Sequence, residues 1–140
     1  TCAVLSGGIV KCWGAYGSGR LGNGSTSDQN TPVSVSSIST ATSVSTGEYH
    51  TCAVLSGGTV KCWGYGSYGQ LGNGALTNSQ TTPVSVSDIS TATSVSAGEN
   101  HTCAVLSGGT VKCWGYGYYG QLGNGAWTSY QSTPVGVLGF

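Results

Sequence analysis

A chain of 140 residues with four basic and four acidic side chains has no net charge and only 6% charged residues, against about 25% in an ordinary soluble protein. It has no clustered Lys and Arg to displace the counterions of a nucleic-acid duplex, so nucleic acid and anionic membrane surfaces are poor partners; no apolar run approaches the ~18–20 residues of a membrane-spanning helix. With 25 Gly, and Ser and Thr in place of Lys and Glu, the composition favours short strands and tight turns over long helices.

Thr1–Gly14 reads TCAVLSGGIVKCWG. The string returns at Thr51–Gly64 and at Thr102–Gly115, with Thr59 and Thr110 where the first copy has Ile9. Cys2, Cys52 and Cys103 step by 50 and then 51 residues, as do Trp13, Trp63 and Trp114. A fixed period of this size marks an array whose units bury their faces only against neighbours. The chain divides into residues 1–50, 51–101 and 102–140: just under three repeats, the first entered mid-blade and the last incomplete. Because Thr1 opens inside a repeat, the start reads as processed or truncated.

Within one period, Ser43–Thr46 is predicted as a short alternating strand closed by Gly47, with Ser94–Ala97 and Gly98 as its next copy. After a Gly-Glu-x-His turn, His50–Leu55 forms a second strand. Ser56–Gly58 turns the chain, and Thr59–Trp63 returns as the third. A Gly-rich loop through Leu71-Gly72-Asn73-Gly74 and a polar loop lead to Pro83–Val86, the fourth strand. Proline at its start suits an edge, where a missing N–H costs no ladder bond. The one-residue length difference between repeats falls in the polar loop, outside the core.

A three-residue loop at Ser56–Gly58 sets Val54 opposite Val60 and Cys52 opposite Cys62. Two-fold alternation then places these four on one face and Ala53, Leu55 and Trp63 on the other. Both faces are apolar, so the hairpin is expected to be sandwiched. The fold class is therefore all-β: four-stranded antiparallel propeller blades belonging to a larger ring or assembly.

The same register makes Cys2 and Cys12, Cys52 and Cys62, and Cys103 and Cys113 direct cross-strand neighbours, close enough for disulfides. Buried free thiols and zinc are the competing readings, although C-x9-C lacks the usual zinc spacing. Disulfides point to an oxidising compartment, and so to a secreted or cell-surface protein.

Other motifs invite a chemical reading. Gly17–Gly22, Gly64–Gly69 and Gly115–Gly120 fit G-x-G-x-x-G, but no helical pattern follows to receive a pyrophosphate, so they read as turn glycines. Glu48 with His50, and Glu99 with His101, resemble acid–base pairs; a repeated Gly-x-x-His at a strand start reads instead as a turn with the imidazole bonded to backbone. Four acids spread along the chain assemble no convergent carboxylate pair or nucleophile triad. No enzyme activity, metal or cofactor is expected. Asn23-Gly24-Ser25 and Asn100-His101-Thr102 are glycosylation sequons.

The aromatics carry the functional expectation. Trp13, Trp63 and Trp114 read as blade core. Tyr65, Tyr68, Tyr116, Tyr118, Tyr119, Trp127 and Tyr130 read as loop residues, with Trp127 and Tyr130 standing where the preceding repeat has Leu76 and Ser79. Loop aromatics that differ between near-identical repeats suit contact with a partner; packing on an adjacent blade is the alternative.

Val95–Val105 (VSAGENHTCAV) and Val44–Val54 (VSTGEYHTCAV) resemble the signature of the regulator of chromosome condensation repeat. Trp63-Gly64, then Gly69-Gln70-Leu71-Gly72, then Thr82-Pro83-Val84 are similar to its later segments in the same order. The resemblance covers the whole chain and implies a seven-bladed propeller, which needs more than twice this length. Cysteines at both hairpin positions are similar to those of secreted bacterial members. The nuclear members' nucleotide-exchange and chromatin roles are not carried over, since this chain has no basic arm and its paired cysteines suit no reducing nucleus. The expected function is a non-enzymatic secreted or surface scaffold that binds protein or glycan, with further blades of the same chain or other copies as partners. The alternative is a structural subunit tiling into an extracellular oligomer or filament.

Overall fold

The computed structural model describes Thr1–Phe140. Eleven strands form three antiparallel sheets. The first contains β1 (Cys2–Val4), β2 (Val10–Gly14) and β3 (Gln29–Ser34). The second is a meander of β4 (Ala41–Thr46), β5 (His50–Leu55), β6 (Val60–Gly64) and β7 (Gln80–Ser85). The third repeats it as β8 (Ala92–Ala97), β9 (His101–Leu106), β10 (Val111–Gly117) and β11 (Thr128–Gly136). The only helical element is one 3-10 turn at Gly17–Gly19, inside a G-x-G-x-x-G stretch, so those glycines serve turns.

The central hairpin has the expected register. Cys52 faces Cys62, Ala53 faces Lys61 and Val54 faces Val60. Leu55 N–H donates to the Thr59 carbonyl at 2.9 Å to close the turn. Gly58 is needed there twice over: its φ is +88°, and a Cβ would meet the Ser90 carbonyl oxygen at 2.7 Å. Each cysteine pair is joined, Cys2–Cys12, Cys52–Cys62 and Cys103–Cys113, leaving no free thiol.

The fourth strand departs from the sequence reading. It begins at Gln80, so Pro83 lies inside it rather than at its start. The ladder slips between Cys62, paired with Val84, and Gly64, paired with Gln80. Three residues of β7 bulge opposite Trp63 alone, and β7 is an edge strand. Pro83 thus occupies a stretch where no ladder bond requires its N–H.

Both hairpin faces are covered, as the alternation requires. One face of the second blade, Cys52, Val54, Val60 and Cys62, packs on Leu71, Ala104 and Trp114 of the junction with the third. Its other face presents Ala53 and Trp63 to Val10, Cys12 and Leu21 of the first. The second and third blades therefore each insert a tryptophan onto the disulfide face of the blade before, and Trp63 and Trp114 are fully buried. Full burial of a large apolar side chain contributes about 1.5–3 kcal/mol. The close approach needs glycine beneath the indole: a Cβ on Gly72, whose φ is +68°, would lie 2.7 Å from Trp114 Nε1.

Candidate ligand-binding surface

At each junction one backbone carbonyl organises the contact between blades. Trp114 Nε1 donates to the Gln70 carbonyl at 2.9 Å, and Thr102 Oγ1 donates to the same oxygen at 2.9 Å. One repeat earlier, Trp63 Nε1 and Thr51 Oγ1 both donate to the Arg20 carbonyl, at 3.0 and 3.2 Å. With its proton committed to Gln70, Thr102 Oγ1 accepts from His50 Nε2 at 2.7 Å, which fixes the imidazole with its proton on Nε2. His50 Nδ1 is buried without a partner. Burial, and then the nearby His101, lower the His50 pKa to about 4, so the ring is neutral at physiological pH.

This corrects the expected partner of the imidazole. His50 bonds a side chain of the next blade, not the backbone of its own turn. Its neighbour Glu48 is exposed while the imidazole is 1% exposed, so the two face different environments. His101 is half-buried; burial lowers its pKa, and the Glu99 charge opposes that shift. In the second sequon, Thr102 is fully buried.

Gln70 and its counterpart one repeat on, Gln121, also hold the aromatic turns in place. Gln70 Oε1 accepts from the Tyr68 N–H at 3.0 Å, and Gln121 Oε1 accepts from the Tyr119 N–H at 2.9 Å. The rings so positioned form an unbroken line across the blades. Tyr49 meets Tyr65 with centroids 6.2 Å apart; Tyr65 meets Tyr68 at 5.9 Å. Tyr68 crosses to the next blade and meets Tyr116 at 5.3 Å. Tyr116 touches Tyr118 and Tyr119 at 6.3 and 6.0 Å, and those two meet at 5.3 Å. Most contacts are edge-to-face, the geometry that ring quadrupoles favour.

Arg20 ends the line, its guanidinium carbon 5.1 Å from the Tyr49 ring centre. Its Nε donates to the Gly17 carbonyl at 2.8 Å and its Nη1 to the Glu48 carbonyl at 2.9 Å. A hydrogen bond with Glu48, and that carboxylate's charge, raise the Tyr49 pKa. Desolvation and the neighbouring phenols raise that of Tyr116. Both phenols remain neutral donors at physiological pH.

Two adjoining clefts lie along this ridge, of about 370 and 390 Å³. The first is lined by Tyr68, Tyr116 and Tyr119 with Glu99, Asn100, His101 and Gln121; the second by Tyr49, Tyr65 and Tyr68 with Ser18, and it shares Glu99 and Asn100. Such volumes fall in the ~300–1,000 Å³ range of small-ligand sites.

Of the seven expected aromatics, the structure brings together Tyr65, Tyr68, Tyr116, Tyr118 and Tyr119. Trp127 and Tyr130 are exposed, at 79% and 51%, but neither joins the line of rings. Trp127 lies over Gly120, where a Cβ would meet its ring at 3.0 Å. Tyr130 is in β11 and Tyr116 in β10, not in loops, because both strands run longer than their counterparts in the second blade. Tyr49 escaped the sequence reading. Its signal was its place in the repeat: it stands in the otherwise preserved Gly-Glu-x-His turn where the next copy has Asn100.

Comparison with known proteins agrees with this architecture. Two profiles of the regulator of chromosome condensation (RCC1) repeat match, one over residues 8–54 and 57–105 and the other over 41–70 and 92–121. The ultraviolet-B receptor UVR8 of Arabidopsis thaliana is 36% identical over 127 residues, covering 88% of this chain and 29% of the receptor. Yeast RCC1 (Prp20), in its crystal structure with Kap60 bound, superposes with a TM-score of 0.85 at 18% identity, over 97% of this chain and 34% of that one. Human WBSCR16 superposes with a TM-score of 0.83 at 22% identity, over 98% and 35%. The chain thus spans about a third of each relative, and at these identities the two structures speak to fold alone. The sheets are RCC1-type propeller blades, and the chain belongs to the regulator of chromosome condensation (RCC1) repeat family.

Proposed function

We propose that this chain is a non-enzymatic binding scaffold, secreted or displayed at a cell surface, whose tyrosine ridge receives a protein or glycan ligand. The observation that carries this reading is the line of rings from Tyr49 to Tyr119, exposed at Tyr68, Tyr118 and Tyr119 and shared between two blades. Solvent-facing aromatics that could have been hydroxyls, on a surface with few charges, are the residues a ligand would desolvate. Relatives of this fold are described by what they bind: yeast Prp20p has binding properties to Gsp1p and histones. The disulfides suit an oxidising compartment. In this reading residues 1–50, 51–101 and 102–140 are equivalent units of one binding array.

The test is a ligand panel of immobilised extracellular glycans and matrix proteins. The full chain is expected to retain at least one, and Tyr68→Ala with Tyr119→Ala to weaken that binding about tenfold or more at unchanged thermal midpoint. Undiminished binding by the double variant would overturn the ridge as the ligand surface.

A second reading, tiling into an extracellular oligomer or filament, is favoured by the outer blade faces. Trp13 is only half-buried where Trp63 and Trp114 are fully buried, and Leu5 beside it is exposed. On the opposite end Val105, Leu138 and Phe140 are exposed. A tryptophan face and a disulfide face are complementary, so another blade of the same chain or of a second copy fits either. Sedimentation velocity on the full chain decides: a concentration-dependent ladder of sizes supports tiling, and a single discrete size contradicts it.

A further inference from the structure

The two clefts share four repeat positions, two of them tyrosine in both. Ser18, Tyr49, Tyr65 and Tyr68 in one occupy the repeat positions of Tyr68, Asn100, Tyr116 and Tyr119 in the other, one period of 50 or 51 residues on. Tyr68 belongs to both: it is the far wall of one cleft and the near wall of the next. The centroid steps from Tyr65 to Tyr68 and from Tyr68 to Tyr116 are 5.9 and 5.3 Å. The equivalent rings Tyr65 and Tyr116 are therefore no further apart than these two steps laid end to end, a span on the scale of two sugar residues.

A site that recurs at each blade junction is matched by a ligand that recurs along its own length. Most folded protein surfaces have no such repeat, whereas a polysaccharide strand has one by construction. The side chains fit that chemistry. Phenol faces provide flat apolar platforms for the C–H face of a pyranose ring, while the Gln121 Nε2 donor and the second oxygen of Glu99, whose Oε1 accepts from Asn100 Nδ2 at 3.1 Å, are left for ring hydroxyls.

Charge narrows the class. Glu99 borders both clefts. Arg20, the cation at the end of the ridge, already donates to the Gly17 and Glu48 carbonyls and lies on Tyr49. His101, which also lines the first cleft, has its pKa lowered by burial and is neutral at physiological pH, so no cation faces either cleft and an anionic strand would meet a carboxylate with nothing to pair.

We propose that the two clefts are successive subsites for a single uncharged polysaccharide strand, one subsite per blade junction, with Tyr68 as the shared platform. The inference rests on reading the ridge as the ligand surface, and it adds the ligand class and the register. Each cleft is shallow and binds weakly by itself; occupancy of both by one strand supplies the affinity, since the second contact is intramolecular.

The experiment is calorimetric titration of the full chain with neutral oligosaccharides of graded length (β-linked gluco-, manno- and xylo-series, and the N-acetylglucosamine series), with heparin as the anionic comparison. One neutral series is expected to gain about tenfold or more in affinity between the length that fills one cleft and the length that fills both, then level off. Tyr68→Ala should cost more than either Tyr49→Ala or Tyr119→Ala, because of these three rings only Tyr68 lines both clefts. Preference for heparin, affinity independent of length, or equal losses in the three variants would each overturn the inference. So would the absence of binding to every neutral series. If in that case a protein ligand is lost on Tyr68→Ala with Tyr119→Ala, the ridge remains a ligand surface and only the polysaccharide assignment falls. If no ligand is sensitive to that pair, both readings fall.

Discussion

Thr102 shows how a single side chain joins two blades, and why its partner was not legible locally. It donates to the Gln70 carbonyl and accepts from His50, 52 residues away in sequence. The Gly-x-x-His pattern marked His50 as structural, but no local pattern can reveal a partner in the next blade. The consequence is a sensitivity to acid. The His50 pKa is lowered to about 4 in the folded chain from an ordinary 6.5, burial being the larger cause. Between those values the unfolded chain binds the proton and the folded chain does not, so unfolding is favoured as pH falls through that window. The stabilisation is whole above about pH 6.5 and is lost by about pH 4, amounting to about 3 kcal/mol. His101 contributes in the same direction. Urea midpoints measured across this window should fall with pH in the parent chain. They should fall less in His50→Gln, whose amide keeps a donor for Thr102 without a titratable ring; an identical slope would remove His50 as the cause.

Strand pairing was the most legible level. Two-fold alternation around Ser56-Gly57-Gly58 gives one register, and the observed Cys52–Cys62 pairing follows from it. The start of the fourth strand was misplaced because its bulged stretch is held by the preceding blade, where the Gly24 N–H donates to the Thr81 carbonyl at 2.9 Å and Gly19 lies against Gln80, contacts that only the packed blades define. The hairpin also sets the value of its disulfide. Each bridge joins cysteines ten positions apart, and closing so short a loop contributes about 2.5–3 kcal/mol on the chain-entropy model, less where the hairpin already forms in the unfolded chain. Cys52→Ala with Cys62→Ala should therefore lower stability by about 2 kcal/mol or more, since the buried sulfur packing on Trp114 is lost as well. Chemical denaturation reads this directly. A change within about 0.5 kcal/mol, the usual range of surface substitutions, would mean that the bridge adds nothing to the folded blade.

At the scale of the molecule, propeller architecture could be read from the period, but the ridge could not. Tyr68 and Tyr116 become neighbours only when one blade stacks on the next, and Tyr49 enters through its contacts with Tyr65 of its own blade and Arg20 of the preceding one. Variation between repeats pointed to Trp127 and Tyr130 as strongly as to the tyrosines that line up, since sequence difference reports exposure without reporting adjacency. Blade 1 has Ala15 and Ser18 where blade 2 has Tyr65 and Tyr68, so the aromatic line starts at the junction between the first two blades. This line of rings is where the ligand is expected to sit. Residue-resolved tyrosine and tryptophan footprinting of the full chain, with and without a bound ligand, tests it most directly. The account predicts protection of Tyr65, Tyr68, Tyr116 and Tyr119, with Trp127 and Tyr130 remaining as reactive as in the free chain. Protection of Trp127 and Tyr130 with the ridge unchanged would contradict it.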